Sequence, residues 1–291
     1  MASIFEKIAK STLKALIKEG LDKVFQKSKI EKKETKKPLP ESKKSTTYFL
    51  KNHPWRLCPV GEHWVRTHPL TVPASGKGPA RETVRQGHCH SNPKGKSEFY
   101  TSDELREIAE IHFKTLISDP EAMPIPDSLD YPNGNKYDLL IAGWTKFWNE
   151  ILKPDDPPTP DFIKALIATE SSFELVKDQK SNDGLARGLI QVTDSTRKIL
   201  QDLKGELRNH HIELNIDESR DPVTNIAAGI RWLHHKKFLA ENRLKRKITW
   251  EEAAAEYKGI FNDIGKDKKT DDIMKKLKEI HQRLKDIRRK Q

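Results

Sequence analysis

Apolar residues recur at three- and four-residue spacing through most of the chain after residue 100, which is the pattern of amphipathic helices. The spacing predicts helices that begin after Thr101 and cover 136–152, separated by a proline-rich loop at 119–134. Capping residues predict further helix starts at Thr159, Thr193, Asp221, Thr249 and Thr270. Within this part only Gly184–Val192 is expected to be extended. Residues 100–291 are therefore predicted to form one mostly α-helical domain.

The N-terminal segment, residues 1–46, has a different pattern. Residues 3–27 predict an amphipathic helix with an apolar stripe and a capping box from Ser3 to Glu6. Three roles stay open for this helix: docking on its own chain or self-association, binding of a carrier or delivery protein, and contact with an anionic membrane surface. Residues 28–46 are rich in Lys, Glu, Pro and Ser, which is typical of a linker.

A small module rich in histidine and proline, with both cysteines, is predicted at residues 47–99. Residues 63–68 and 83–90 echo each other as a Val-Arg pair followed by histidine, which suggests two short strands. Thiolates and imidazoles of the module could form a structural zinc site. The candidate ligands are Cys58, His63, His68, His88, Cys89 and His90. The usual Cys-x-x-Cys pairs are absent, so an unliganded module or a Cys58–Cys89 disulfide stays open.

The net charge of the chain indicates which kinds of partner it would bind. The formal net charge is +11 over 291 residues, which favours polyanionic partners such as cell-wall polymers, anionic lipid or nucleic acid. Residues 1–46 hold 13 Lys against 6 Asp and Glu, so the rest of the chain is only mildly basic. This distribution disfavours nucleic acid as the partner, because a basic folded groove is not expected.

The sequence also suggests where the protein is made. No apolar run is long enough to predict a transmembrane segment. The N-terminus lacks the uninterrupted apolar core of a secretory signal peptide. We therefore expect a protein made in the cytoplasm, which would need a non-classical route to act outside it.

The candidate chemistry centres on Glu170. The chain has no Gly-x-Ser-x-Gly elbow, no phosphate-binding loop and no His-Glu-x-x-His helix. It does have an apolar helical pattern from Asp161 that ends in Glu170. A carboxyl group at the end of such a helix is expected to be partly desolvated, which favours the protonated form that a general acid needs.

Four sequence blocks together resemble the lytic transglycosylase and goose-type lysozyme family over roughly residues 135–265. The blocks are Glu-Ser-Ser-Phe at 170–173, Ala-Arg-Gly-Leu-Ile-Gln-Val-Thr at 186–193, Ala-Gly-Ile-Arg-Trp-Leu at 228–233 and Ala-Glu-Tyr-Lys-Gly at 255–259. The resemblance implies a lysozyme-like helical catalytic domain with a small extended segment. The small β-like module and the N-terminal amphipathic helix would precede this domain.

The resemblance also implies roles for individual residues. Glu170 matches the catalytic acid/base of the family, and Tyr257 matches the tyrosine that hydrogen-bonds and orients this acid. Ser181 matches the serine that supports the N-acetyl group of the substrate. Gln191 matches a glutamine that lines the glycan groove, and Ile190 stands beside it where the family usually has methionine. Lys258 is a departure, because the family has asparagine at this position.

The implied reaction is cleavage of the β-1,4 bond between N-acetylmuramic acid and N-acetylglucosamine in peptidoglycan. With a single glutamate and no cofactor, the muramyl 6-hydroxyl would close on C1 and give a 1,6-anhydro product. Hydrolysis, as in lysozyme, is an alternative if a water is activated, and Asp178 or Asp183 could orient that water. The second alternative is a lysozyme-like protein that binds glycan or a partner without cleaving it, and the third is a zinc-dependent nucleic-acid-binding protein.

The missing signal peptide and the basic tail favour a bacteriolytic protein delivered to the cell wall. Delivery by a phage tail or as an effector of a secretion apparatus is the route we expect. The N-terminal helix would then be the segment that a carrier protein binds.

Overall fold

The computed structural model describes residues 55–74, 76, 79–93, 99–175, 178–207 and 210–291. The predicted helix at 3–27 and the predicted linker at 28–46 lie outside these residues. No helix in the described ranges is both long enough and apolar enough to cross a membrane.

The histidine-rich module consists of two antiparallel strand pairs. Its strands are β1 (Glu62–Val65), β2 (His68–Val72), β3 (Arg81–Arg85) and β4 (His88–Ser91). Strand β1 pairs with β4, and β2 pairs with β3. Two strands were predicted, and four are found, because each copy of the sequence echo spans the end of one strand and the start of the next. Gly87 lies between β3 and β4, where a Cβ atom would fall 2.4 Å from the ring of Trp64.

Cys58 and Cys89 form a disulfide, with their Cα atoms 5.6 Å apart. Both thiols that the zinc hypothesis needs are therefore bonded to each other. The remaining candidates make separate contacts: Nδ1 of His63 bonds Asn92, while His68 and His88 bond nearby backbone carbonyls. Nowhere among the described residues do three His, Cys, Asp or Glu side chains form a group that could hold a metal ion.

The module packs directly on the helical part of the chain. Arg56 and Glu104, both almost completely buried, form an ion pair of 2.9 Å between them. The indole of Trp55 donates a hydrogen bond to Glu150 and packs edge-on against Phe147. The boundary predicted near residue 100 is thus crossed by buried contacts.

The helices of the described chain agree with the predicted ones. They are α1 (Ser102–His112), α2 (Asp138–Leu152), α3 (Pro160–Ser171), α4 (Asp194–Leu200), α5 (Pro222–Leu244), α6 (Trp250–Tyr257) and α7 (Lys268–Arg288). Thr159, Asp221 and Thr249 cap their helices through side-chain oxygens. Helix α7 begins earlier than predicted, because Asp267 is its cap and accepts a hydrogen bond from the amide of Thr270.

Extended segments are more numerous than expected in the helical part. The strands are β5 (Phe99–Thr101), β6 (Gln179–Ser181), β7 (Gly184–Arg187), β8 (Val192–Thr193) and β9 (His211–Glu213). Strands β6, β7 and β8 form an antiparallel sheet, and β5 pairs in parallel with β9. Between β7 and β8, residues 188–191 form a turn, although Gly184–Val192 was expected to be extended throughout.

The core is centred on α2, and it fixes the position of α3. The indole of the buried Trp148 donates a hydrogen bond of 2.8 Å to the carbonyl of Ala227 in α5. Lys164 of α3 is fully buried, and its ammonium lies 2.9 Å from Asp138 of α2. A buried ion pair of this kind tolerates little displacement, because either charge alone would be strongly destabilising. The ion pair therefore fixes α3 against α2, and the C-terminal end of α3 has a defined position.

Candidate active site

Glu170 lies in the last turn of α3, and the backbone that follows it is tightly folded. Ser172 ends the helix in a left-handed conformation with φ of 53°, and Phe173 follows with φ of 61°. The Phe173 side chain is completely buried, which anchors this end of the helix in the core. The Glu170 side chain is 12% exposed, so it is largely withdrawn from water, as the sequence suggested.

Lys258 is the direct partner of Glu170. Its ammonium nitrogen lies 2.6 Å from Oε1 of Glu170, and the lysine side chain is 9% exposed. Lys258 is the residue that ends α6, and its backbone amide donates to the carbonyl of Ala254. The site thus holds a partly buried ion pair, in which a charge-assisted hydrogen bond fixes the carboxylate. The sequence marked Lys258 as a departure from the family but did not place it on Glu170.

Tyr257 lies next to this pair but bonds a different group. Its hydroxyl donates a hydrogen bond of 2.6 Å to the backbone carbonyl of Ile190. Burial, and then the negative charge of Glu170, raise the pKa of Tyr257 well above its ordinary value. The tyrosine is therefore close to Glu170, as the resemblance implied. The expected hydrogen bond to the acid is absent, because the hydroxyl proton is directed to Ile190.

The turn that contains Ile190 is held by a buried asparagine of α5, Asn225. Its side-chain oxygen accepts a hydrogen bond from the amide of Ile190, and its amide group donates to the carbonyls of Arg187 and Ser219. Gly188 makes this contact possible, since it has φ of 72° and its Cβ would lie 2.4 Å from the Asn225 side chain. Asn225 was not among the residues predicted from the sequence. The signal available for it was a polar residue within the apolar stretch after Asp221-Pro222.

Ile190 and Gln191 occupy different environments although they are adjacent. Ile190 is completely buried, and a Cβ added to Gly229 would fall 2.0 Å from its Cγ2. In this structure Ile190 is a packing residue, and its predicted contact with glycan stays a prediction. Gln191 has φ of 53° and is 8% exposed, and its side-chain amide donates 2.7 Å to the Gly188 carbonyl. Glycan binding by Gln191 would require this internal bond to open.

Ser181 lies in an exposed hairpin between β6 and β7. Its hydroxyl donates 2.6 Å to the carbonyl of Gly184 and accepts from the amide of Asp183. Both contacts close the hairpin turn. The structure therefore gives Ser181 a local role, and its predicted contact with the substrate N-acetyl group stays a prediction.

Asp178, a candidate for orienting a water, is already paired with two arginines. Its carboxylate lies 2.6 Å from Arg220 and 3.0 Å from Arg187. The hydrogen bond from Arg220 is the main cause that lowers the pKa of Asp178. A carboxylate held in such a cluster is a poor base, and this weakens the hydrolytic alternative that used it.

The described contacts thus bring together Glu170, Lys258, Tyr257 and the turn at Ile190. This arrangement places a single carboxyl group, largely shielded from water, beside one ammonium group. A carboxyl group of this kind can exchange a proton with a bound sugar when the ammonium moves away.

Comparison with known families gives one match, and it covers this part of the chain. Residues 155–280 match the family model described as "Transglycosylase SLT domain". The matched segment runs from just before α3 into α7, so it contains every residue of the site described above. Searches of curated proteins and of solved structures gave no match to the chain.

Proposed function

Residues 155–280 match the family model of the transglycosylase SLT domain, and from this match we propose that the protein cleaves peptidoglycan glycan strands. The bond cut is the β-1,4 bond between N-acetylmuramic acid and N-acetylglucosamine, and the products are 1,6-anhydro sugars. The observation that carries the proposal is the position of Glu170 at the end of a buried helix inside the matched segment.

In the proposed reaction Glu170 acts first as an acid and then as a base. The protonated carboxyl gives its proton to the glycosidic oxygen, the bond from that oxygen to C1 breaks, and N-acetylglucosamine leaves with a 4-hydroxyl. The substrate acetamido group stabilises the positive charge at C1. Glu170 then takes the proton of the muramyl 6-hydroxyl, whose oxygen bonds to C1. No water is consumed, so this is a lyase-type cleavage, and one carboxyl group is sufficient.

Two further residues would help to position the acid. Tyr257 holds the Ile190 turn through its hydroxyl, and Lys258 holds Glu170. Their places next to the carboxyl group suggest that they set its position before the substrate binds. Ser181 and Gln191 are proposed to reach the sugar once the substrate opens their internal hydrogen bonds.

The disulfide supports a place of action outside the cytoplasm. A Cys58–Cys89 bond is expected to persist in an oxidising compartment such as the periplasm, where peptidoglycan is also found. We propose that the protein reaches the cell wall by a secretion apparatus or a phage-type route. A carrier that binds residues 3–27 would fit this proposal.

Mass spectrometry of digested peptidoglycan tests the reaction. The purified protein is incubated with insoluble peptidoglycan, and the soluble fragments are separated and weighed. Anhydro-muropeptides support the transglycosylase, whereas fragments with reducing ends, heavier by one water, would assign a hydrolase. A sample treated with a known muramidase provides the reducing-end reference.

One observation favours a second candidate, a protein that binds glycan without cleaving it. The ion pair with Lys258 keeps the Glu170 carboxylate occupied in the free protein. If wild-type protein sediments with peptidoglycan but releases no soluble fragments under any tested condition, the binding function replaces the enzymatic one.

A further inference from the structure

We propose that Lys258 is a specificity-determining residue, whose ammonium leaves Glu170 and binds a carboxylate carried by the glycan when the substrate enters. The inference rests on the proposed function and deepens it, because it names the chemical feature of the substrate that the site recognises. An uncharged glycan would lack this feature and would leave Lys258 on Glu170.

The observed pair of Glu170 and Lys258 is a resting state of the site. Glu170 must carry a proton to protonate a glycosidic oxygen. In the structure its Oε1 accepts a hydrogen bond from the Lys258 ammonium, a group that has donors and no acceptor. An ammonium group beside a carboxyl group favours the ionised carboxylate, so the pair has to open before a protonated Glu170 can act on a sugar.

Once the pair opens, the Lys258 ammonium needs a new partner. Only 9% of the Lys258 side chain is exposed, and a charge at such a place is strongly unfavourable without an opposite charge nearby. Tyr257 cannot serve, because its hydroxyl donates to Ile190 and its neutral form is favoured by burial. An incoming anion is the partner that would make opening of the pair favourable.

The side chain of Lys258 can move while its backbone stays in place. The amide of Lys258 is fixed on Ala254 at 2.9 Å, while the four-carbon side chain can rotate. The ammonium can therefore leave Glu170 while the backbone at the end of α6 keeps its place.

The substrate class supplies such an anion next to the scissile bond. Each muramic acid residue carries a lactyl ether on O3, and its carboxyl group is charged wherever the peptide has been removed. Where a peptide is attached, the lactyl carboxyl is an amide, and the carboxylates of the peptide stem are the charged groups instead. Both sources offer a carboxylate, and a polymer of N-acetylglucosamine alone offers none.

Binding measurements test whether Lys258 exchanges Glu170 for a carboxylate of the glycan. The full-length Glu170→Gln variant removes the negative charge that Lys258 faces in the free protein and prevents cleavage. The double variant Glu170→Gln, Lys258→Met is its matched control. Calorimetric titration uses peptide-free glycan strands with free lactyl carboxylates and the same strands after conversion of the carboxylates to methylamides. Glu170→Gln is expected to bind the charged strands about tenfold more tightly, which corresponds to about 1.4 kcal/mol. The double variant should bind both equally, and Glu170→Gln with Lys258→Arg should keep the preference.

Peptide-bearing strands form the third ligand and identify the source of the carboxylate. If Glu170→Gln binds them as tightly as the peptide-free charged strands, Lys258 binds the carboxylates of the peptide stem. If it binds them as weakly as the methylamide strands, the lactyl carboxylate is the ligand. Equal affinity of Glu170→Gln for all three would overturn the inference.

Kinetics on otherwise wild-type protein separate recognition from a purely structural role. Wild type should prefer charged over methylamide strands in kcat/KM, and Lys258→Met should lose this preference mainly through a higher KM for the charged strands. Lys258→Arg should restore the preference, which a general loss of stability would not allow. An unchanged preference in Lys258→Met overturns the inference while leaving the proposed function intact. Absence of any cleavage by wild type, with the binding preference still present, removes the proposed enzyme and leaves recognition by Lys258.

Discussion

The hydroxyl of Tyr257 donates a hydrogen bond of 2.6 Å to the backbone carbonyl of Ile190, 67 residues earlier in the chain. This bond joins the end of α6 to the turn between β7 and β8. Because Lys258 directly follows Tyr257, the same junction brings the Lys258 ammonium to Glu170 at the end of α3. Three distant segments thus meet around one carboxyl group.

Replacement of Glu170 by glutamine should remove the activity. Glutamine has a similar size but cannot give or take the proton, and general acid–base catalysis contributes roughly a hundredfold or more. Release of soluble muropeptides from purified peptidoglycan measures the rate. Glu174→Gln, at an exposed position four residues later, is the matched control and should keep the wild-type rate. A Glu170→Gln protein that solubilises peptidoglycan as fast as wild type would exclude the catalytic role.

Replacement of Tyr257 by phenylalanine should destabilise the fold by about 1–3 kcal/mol, because it leaves the buried Ile190 carbonyl without its hydrogen-bond donor. Denaturant unfolding measures the change. Tyr131 contacts Phe173 and Lys276 through its ring, so Tyr131→Phe keeps these contacts and should change the stability by less than about 0.5 kcal/mol. Equal stability of Tyr257→Phe and wild type would mean that the bond to Ile190 does not form in solution.

Loss of the Cys58–Cys89 disulfide should lower the stability of the protein. The bridge closes a segment with a sequence separation of 31, for which chain entropy predicts a contribution of about 3–4 kcal/mol. Thermal unfolding with and without a reductant measures the loss, and the Cys58→Ser, Cys89→Ser double variant should be insensitive to the reductant. A metal chelator should leave wild type unchanged. If the chelator destabilises the protein and the reductant does not, the zinc hypothesis for the module is the correct one.

The stability should fall in mild acid because of His234 in α5. Burial, and then the positive charges of Arg231 and Lys237, lower the pKa of His234 to about 3 in the folded protein. An unfolded histidine titrates near about 6.5, so the unfolded state binds more protons between the two values. The free energy of unfolding should therefore decrease as the pH falls from about 6.5 towards 3, by at most about 1.4 kcal/mol per pH unit from this group.

Comparison of wild type with His234→Gln isolates this contribution. Denaturant unfolding at pH 7.5 and at pH 5 gives the change in free energy for each protein. The decrease on acidification should be smaller in His234→Gln, which has no imidazole to protonate at this position. Equal decreases in the two proteins would show that His234 is not buried in its neutral form.

The sequence alone determined most of the helical framework, because helix starts depend on nearby residues. Thr159, Asp221 and Thr249 each bond amides two or three positions away, so their caps could be read from the local order of residues. The start of α7 was missed for a related reason, since Asp267 and Thr270 are both good capping residues and only the structure selects Asp267. The four blocks likewise indicated the resemblance to the lytic transglycosylase family, which the match of residues 155–280 to the SLT domain model confirms.

The tertiary structure decided which side chains meet in the site. Lys258 and Glu170 are 88 residues apart, and Tyr257 could have donated its hydrogen bond either to Glu170 or to Ile190. The choice depends on where the end of α6 lies relative to the end of α3 and the β7–β8 turn, because a hydrogen bond forms only within a narrow range of distance and angle. Local sequence carries no information on this placement. The resemblance assigned the hydrogen bond with the acid to Tyr257, whereas in the structure Lys258 makes it.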